Sequence, residues 1–136
     1  MNISVSQEKG HVPVAVIHLE GQLDGQSYQQ LTEKARAVFE TGTRNILLDL
    51  EKLTYISSAG LVALHTVALL LRGESLPDPE QGWAALKSMD RSRDGGPQQH
   101  LKLLNPRPEV VSVLDMVGFT SYFEAFTDLQ KAIQSF

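Results

Sequence analysis

From Leu61 to Leu71 the chain is apolar nearly all round, interrupted only by His65 and Thr66. A helix of that kind has to be buried on most of its sides. It falls well short of the roughly 20 apolar residues that a membrane helix requires, so the burial has to come from the protein itself. The segment just before it supplies the means. Ile46-Leu47-Leu48-Asp49-Leu50 is a short apolar run of the kind found in a central strand. Thr54-Tyr55-Ile56 continues towards Ser57-Ser58-Ala59-Gly60, and the helix Leu61–Arg72 follows.

The rest of the chain repeats this alternation. Ile3 and Val5 alternate with polar neighbours, as in a half-buried edge strand. Val12 to Leu19 is rich in β-branched residues and reads as a buried strand, broken by Glu20 to Gly25. From Ser27 to Phe39 the apolar positions Tyr28, Leu31, Ala35, Val38 and Phe39 recur at helical spacing, and Gly42 stops the helix. Leu101 to Leu104 is a further strand, and Pro108 opens a helix that Gly118 ends. Tyr122-Phe123 reads as a last short strand, and Thr127 as the N-cap of a closing helix, Asp128 to Gln134. Strands alternating with helices call for parallel pairing with crossover connections. The expectation is one α/β domain over residues 1–136. Its sheet has four or five strands, mostly parallel with the first antiparallel, and its helices pack mainly on one face.

The stretch 73–98 differs in character, with Pro77, Pro79, Pro97, the Gly95-Gly96 pair and many charges. It reads as an insertion whose middle, Glu80 to Met89, forms a short helix around Trp83 and Leu86. Such an insertion costs little stability, because closure entropy grows slowly with loop length.

Composition narrows the function. A 136-residue chain with 42% hydrophobic residues has material for one core. A net charge of −4 argues against nucleic acid and against anionic membranes, which need a basic footprint. With no cysteine, disulfides, thiolate catalysis and cysteine-ligated metals are excluded. His11, His18, His65 and His100 are not closely paired on one element, so no metal site is expected. Met1 to Gly10 lacks the basic-then-apolar pattern of a secretory signal, and the expected compartment is the cytoplasm. No cofactor is expected.

The segment Asp49 to Leu61 carries the strongest site signal. A buried strand runs into two serines, a small residue and a glycine, and then a helix begins. The first turn of a helix has unpaired N–H groups and a partial positive charge, and a phosphate is bound well there. Ala59 and Gly60 leave the backbone uncrowded for the approach of another protein. Plain helix capping by Ser57 or Ser58 accounts for the same residues. A nucleophile elbow is disfavoured, because Ile56 stands where G-x-S-x-G needs its first glycine. Asp24 and Asp49 both fall at expected C-terminal strand ends, the edge where sites gather in a parallel sheet, although turn chemistry also favours aspartate there. Val62, His65 and Leu69 share a helical stripe that, if exposed, adds to a partner surface.

At these residues the sequence resembles the STAS domain and, within it, the bacterial anti-sigma-factor antagonists. Leu19-Glu20-Gly21-Gln22-Leu23-Asp24 looks like the family's glycine-x-leucine-aspartate turn. Leu48-Asp49-Leu50 through Tyr55-Ile56-Ser57-Ser58-Ala59-Gly60-Leu61 looks like its strand, loop and phospho-serine helix start. The resemblance implies a non-enzymatic domain that, unphosphorylated, binds an anti-sigma factor, often itself a serine-protein kinase, and so frees a sigma factor. Phosphorylation ends binding, and a metal-dependent, PP2C-type phosphatase restores it. Matching the motif puts the phosphorylation site at Ser58, with Asp24 close by. Partner contacts are expected at Asp24, Ser57, Ser58, Ala59, Gly60, Val62 and His65.

Two departures stand out: Ser57 where many members carry aspartate, which makes it a competing acceptor, and Ala59 where a second serine is frequent. The insertion at 73–98 is longer than the usual loop, and is open to use as a free loop, a homodimer contact or a second partner site. The rival reading is a STAS binding or scaffold module in a transport or stress-signalling complex, with no phosphorylation.

Overall fold

The computed structural model describes residues 1–73 and 98–136. The expected insertion, with its helix around Trp83, lies outside the described residues apart from its ends. Among the described residues, five strands form one sheet in the order β1-β2-β3-β4-β5. They are β1 (Asn2–Lys9), β2 (Pro13–Leu23), β3 (Ile46–Ile56), β4 (Leu101–Leu104) and β5 (Ala125–Phe126). β1 pairs with β2 antiparallel, and the remaining neighbours pair parallel. Among the described residues, four helices connect or flank them: α1 (Tyr28–Glu40), α2 (Ser58–Arg72), α3 (Pro108–Met116) and α4 (Leu129–Gln134).

Strand alternation divides the apolar side chains between the two sheet faces. Ala15, Ile17, Leu19, Leu48, Leu50 and Leu103 meet Leu31, Ala35 and Val38 of α1, most of α2, and Val110 and Leu114 of α3. On the opposite face, Val14, Val16, Leu47 and Leu104 meet Ala132 and Ile133 of α4, with Val12, Phe126 and Phe136 packed against them. The helices therefore lie mainly on one face, with the closing helix on the other. Helix α2 is the most enclosed element, buried continuously from Gly60 to Leu69. It ends at Gly73, whose φ of 76° supplies the left-handed C-cap.

Three local expectations need correction. Tyr122 and Phe123 are not a strand. They follow a 3-10 turn, Phe119–Ser121, and their rings pack edge-on at 4.7 Å inside the core, so the last strand is Ala125–Phe126. Here the aromatic content reflected core filling and not sheet pairing. The closing helix is capped by Asp128, which accepts from Lys131 N–H at 3.0 Å, and not by Thr127. Finally, β3 does not stop near Leu50. Register shifts in its pairing with β2 let it run on to Ile56, opposite Leu23. Asp49 is therefore in mid-strand and not at a strand end.

Candidate functional site

Because Leu23 and Ile56 are partners in the last rung of the β2–β3 ladder, Asp24 and Ser57 leave the sheet side by side. The Ser57 N–H donates to the Leu23 carbonyl at 2.9 Å, tying the start of α2 to the end of β2. Ser57 is extended (φ −97°, ψ 178°) and is the N-cap, its Oγ accepting from Gly60 N–H at 3.3 Å. Its carbonyl accepts from Leu61 N–H at 2.9 Å. Gly60 is a packing requirement: a Cβ there would lie 2.6 Å from the Leu23 oxygen and 2.7 Å from Ile56 Cγ1.

Ser58 is the first residue of α2 and is exposed, whereas Ser57 and Ala59 are half-buried. No acidic residue occupies the first turn of α2. An exposed hydroxyl thus stands at the positive end of a fifteen-residue helix whose capping is done by its neighbour. Of the two serines, Ser57 is the one that caps.

Asp24 is half-buried and turned into its own loop. Its Oδ1 accepts from Gln26 N–H at 3.0 Å and from Ser27 Oγ at 3.2 Å, and Ser27 Oγ also donates to the Gln22 carbonyl at 2.7 Å. Beside this loop is a recess of about 430 Å³ lined by Gln22, Asp24, Gln26 and Gln30, with Met1 and Gly21. It offers amide and carboxylate groups to an incoming surface.

Four of the expected site residues do not take the places given them. Val62 and His65 are each 2% exposed, because α1 packs on α2 and the His65 ring lies 6.2 Å from Tyr122 in the core, so the stripe they share is not a partner surface. Gly60 is buried against Leu23 and Ile56, and shapes the site without presenting itself to a partner. Asp49 lies on the sheet face away from α1 and α2, with its Oδ2 2.8 Å from His18 Nδ1, and adds no charge beside Ser58. Tyr55, which was not among the expected residues, is 49% exposed at the end of β3. Its signal was available: with Ile56 directed inward, alternation turns Tyr55 to solvent.

These elements make a small α/β module whose mixed sheet carries, at its C-terminal edge, a strand–cap–helix junction with one exposed serine. Comparison with known proteins gives that class its family. The family profile described as "Mlab, STAS domain" matches residues 6–77, more than half of the chain. The chain belongs to the STAS-domain family. It is 29% identical over 118 residues to BtrV of Bordetella bronchiseptica, a protein named as a candidate anti-sigma factor antagonist, with 87% of this chain and 82% of that protein covered. Its fold matches that of an anti-sigma factor antagonist from Mycobacterium paratuberculosis, with TM-score 0.65, 16% identity, and 98% and 93% of the two chains covered. It also matches the Bacillus cell fate determinant SpoIIAA, solved in the phosphorylated form, with TM-score 0.54, 20% identity and 96% of each chain covered. Among the described residues, no helix is long and apolar enough to cross a membrane.

Proposed function

We propose that this chain is an anti-sigma factor antagonist whose partner binding is switched by phosphorylation of Ser58. In its unphosphorylated form it binds an anti-sigma factor that is also a serine-protein kinase, and a PP2C-type phosphatase reverses the modification. The observation that carries this reading is the exposed Ser58 at the first position of α2, with its neighbour Ser57 acting as the cap. A phosphate there adds about two negative charges and three strong acceptor oxygens. The helix N-terminus stabilises that charge on this chain, while a partner packed over the junction meets new repulsion and desolvation.

The contact surface in this reading is Asp24 with its recess, Ser57, Ser58, Ala59 and the exposed Tyr55. Names of similar proteins support the general role, and the phosphorylated form of SpoIIAA supports phosphorylation as something a protein of this fold undergoes. The test is partner capture by three forms of the chain from the source cell extract, with the captured kinase identified by mass spectrometry. Wild type and Ser58→Ala retain the kinase, and Ser58→Asp loses it. Equal capture by Ser58→Asp contradicts the switch and favours an unphosphorylated scaffold.

A further inference from the structure

Among the described residues, α4 packs on the sheet face opposite α1 and α2 at Val14, Val16, Leu47 and Leu104. Beyond that cover, three adjacent strands place a serine, a histidine and an aspartate in one hydrogen-bonded row. His18 on β2 is the direct parallel partner of Asp49 on β3. Its Nδ1 lies 2.8 Å from Asp49 Oδ2, and its Nε2 lies 3.0 Å from Ser6 Oγ on β1. An ionised carboxylate only accepts hydrogen bonds. In the tautomer with its proton on Nδ1, His18 donates to Asp49 and leaves Nε2 to accept from the Ser6 hydroxyl. Asp49 is itself fixed, because its other oxygen accepts from Glu51 N–H at 3.1 Å. The arrangement is nucleophile, base and orienter within hydrogen-bond reach. Nothing in the phosphorylation switch uses it, since Ser58 lies at the far end of β3 from Asp49.

We propose that Ser6 is an activated nucleophile that accepts short acyl groups from activated esters. The His18 side chain is 41% exposed and that of Asp49 18%. Both line an open groove of about 340 Å³ together with Ser4, Glu20 and Lys52; half-buried Ser6 is not a lining residue and adjoins the groove through the His18 ring. In the step, Ser6 Oγ forms a bond to the acyl carbon and its proton passes to His18 Nε2. The bond from that carbon to the leaving oxygen breaks, and the leaving group departs as its anion. His18 then returns the proton to water. The products are acyl-Ser6 and the free alcohol or phenolate, with no change in oxidation state. Asp49 acts here as a positioning residue.

The same distances also fit a purely structural role, a staple holding edge strand β1 to the sheet, and the experiment separates the two. The full chain is treated with p-nitrophenyl acetate, release of p-nitrophenolate is followed, and the acetylated residue is mapped by mass spectrometry. The expected result is one acetyl group per chain, on Ser6. Ser6→Ala abolishes it, and His18→Gln, which still offers a hydrogen-bonding side chain, slows it about 100-fold, the lower end of a general-base contribution. Asp49→Asn slows it too, while its urea midpoint stays that of a folded chain. A fluorophosphonate probe labels wild type on Ser6 and not Ser6→Ala. Acetyl groups on lysines, on His18 or on Ser57 or Ser58 instead of Ser6 overturn the proposal. So does Ser6 labelling that is unchanged in His18→Gln or equally fast in the urea-unfolded chain.

Discussion

The N–H of Ser57 is fastened to the carbonyl oxygen of Leu23 at 2.9 Å, so the first residue beyond β3 is held by the last residue of β2. Through this bond the Asp24 loop and the start of α2 behave as one structural unit. The position of Ser58 is thus set by two strand ends as well as by its own helix.

Gly60 is where that unit is tightest. Alanine there puts a Cβ 2.6 Å from the Leu23 oxygen, which is backbone and cannot swing away. Gly60→Ala is expected to cost about 1–3 kcal/mol, as overpacking does in a filled core. A shift of the urea midpoint at unchanged m-value checks this. Relief of the clash also displaces the start of α2, so partner affinity is expected to fall with stability.

The two adjacent serines should separate cleanly in a stability measurement. Ser57→Ala removes the cap and is expected to cost about 0.5–1 kcal/mol, the low end for capping, because its bond to Gly60 N–H is long at 3.3 Å. Ser58→Ala removes an exposed hydroxyl and is expected to stay within about 0.5 kcal/mol of wild type. Equal losses at both positions in urea unfolding contradict this division of labour.

Tyr55 is expected to matter for binding and not for folding. Half-exposed three residues before Ser58 in the chain, it has the size and the polar tip of an interface anchor. Tyr55→Ala should leave the unfolding midpoint within about 0.5 kcal/mol of wild type. It should weaken partner binding by about 1–2 kcal/mol, read by titration calorimetry against the captured kinase.

On the other face, Lys102 is 5% exposed, and its Nζ donates to the carbonyl and hydroxyl oxygens of Ser135 at 3.0 Å each. The same ammonium lies 4.9 Å from the Phe136 ring centroid. Lys102→Ala is expected to cost about 1–3 kcal/mol through lost charged hydrogen bonds and lost stem packing. Faster amide hydrogen exchange in α4 than in α1 is the accompanying signature.

Much of this architecture was legible in the sequence because it rests on periodicity. The all-round apolar run of α2, the alternation of β1 and the short apolar run at Ile46 each have one reading that a sheet-and-helix domain accommodates. What was not legible depends on neighbours distant in the chain. Asp49 looked like a strand end because Glu51 and Lys52 are polar, yet pairing with β2 carries the strand past them to Ile56. Val62 and His65 looked like a usable stripe until α1 and Tyr122 closed over them. The junction at Ser57 and Ser58 was readable as a helix start, but which serine caps and which stays exposed is decided by the bond from Ser57 to Leu23, a contact with another strand. The Ser6–His18–Asp49 row had no local signal, since it exists only through strand order and register.

If Ser58 is the hydroxyl that another protein modifies, incubating the chain with ATP and the kinase captured on it, then mapping the phosphorylated residue by tandem mass spectrometry, is decisive. One phosphate per chain is expected on Ser58, retained in Ser57→Ala and lost in Ser58→Ala. Phosphate found on Ser57 alone, or no incorporation by a kinase that binds the chain, contradicts it.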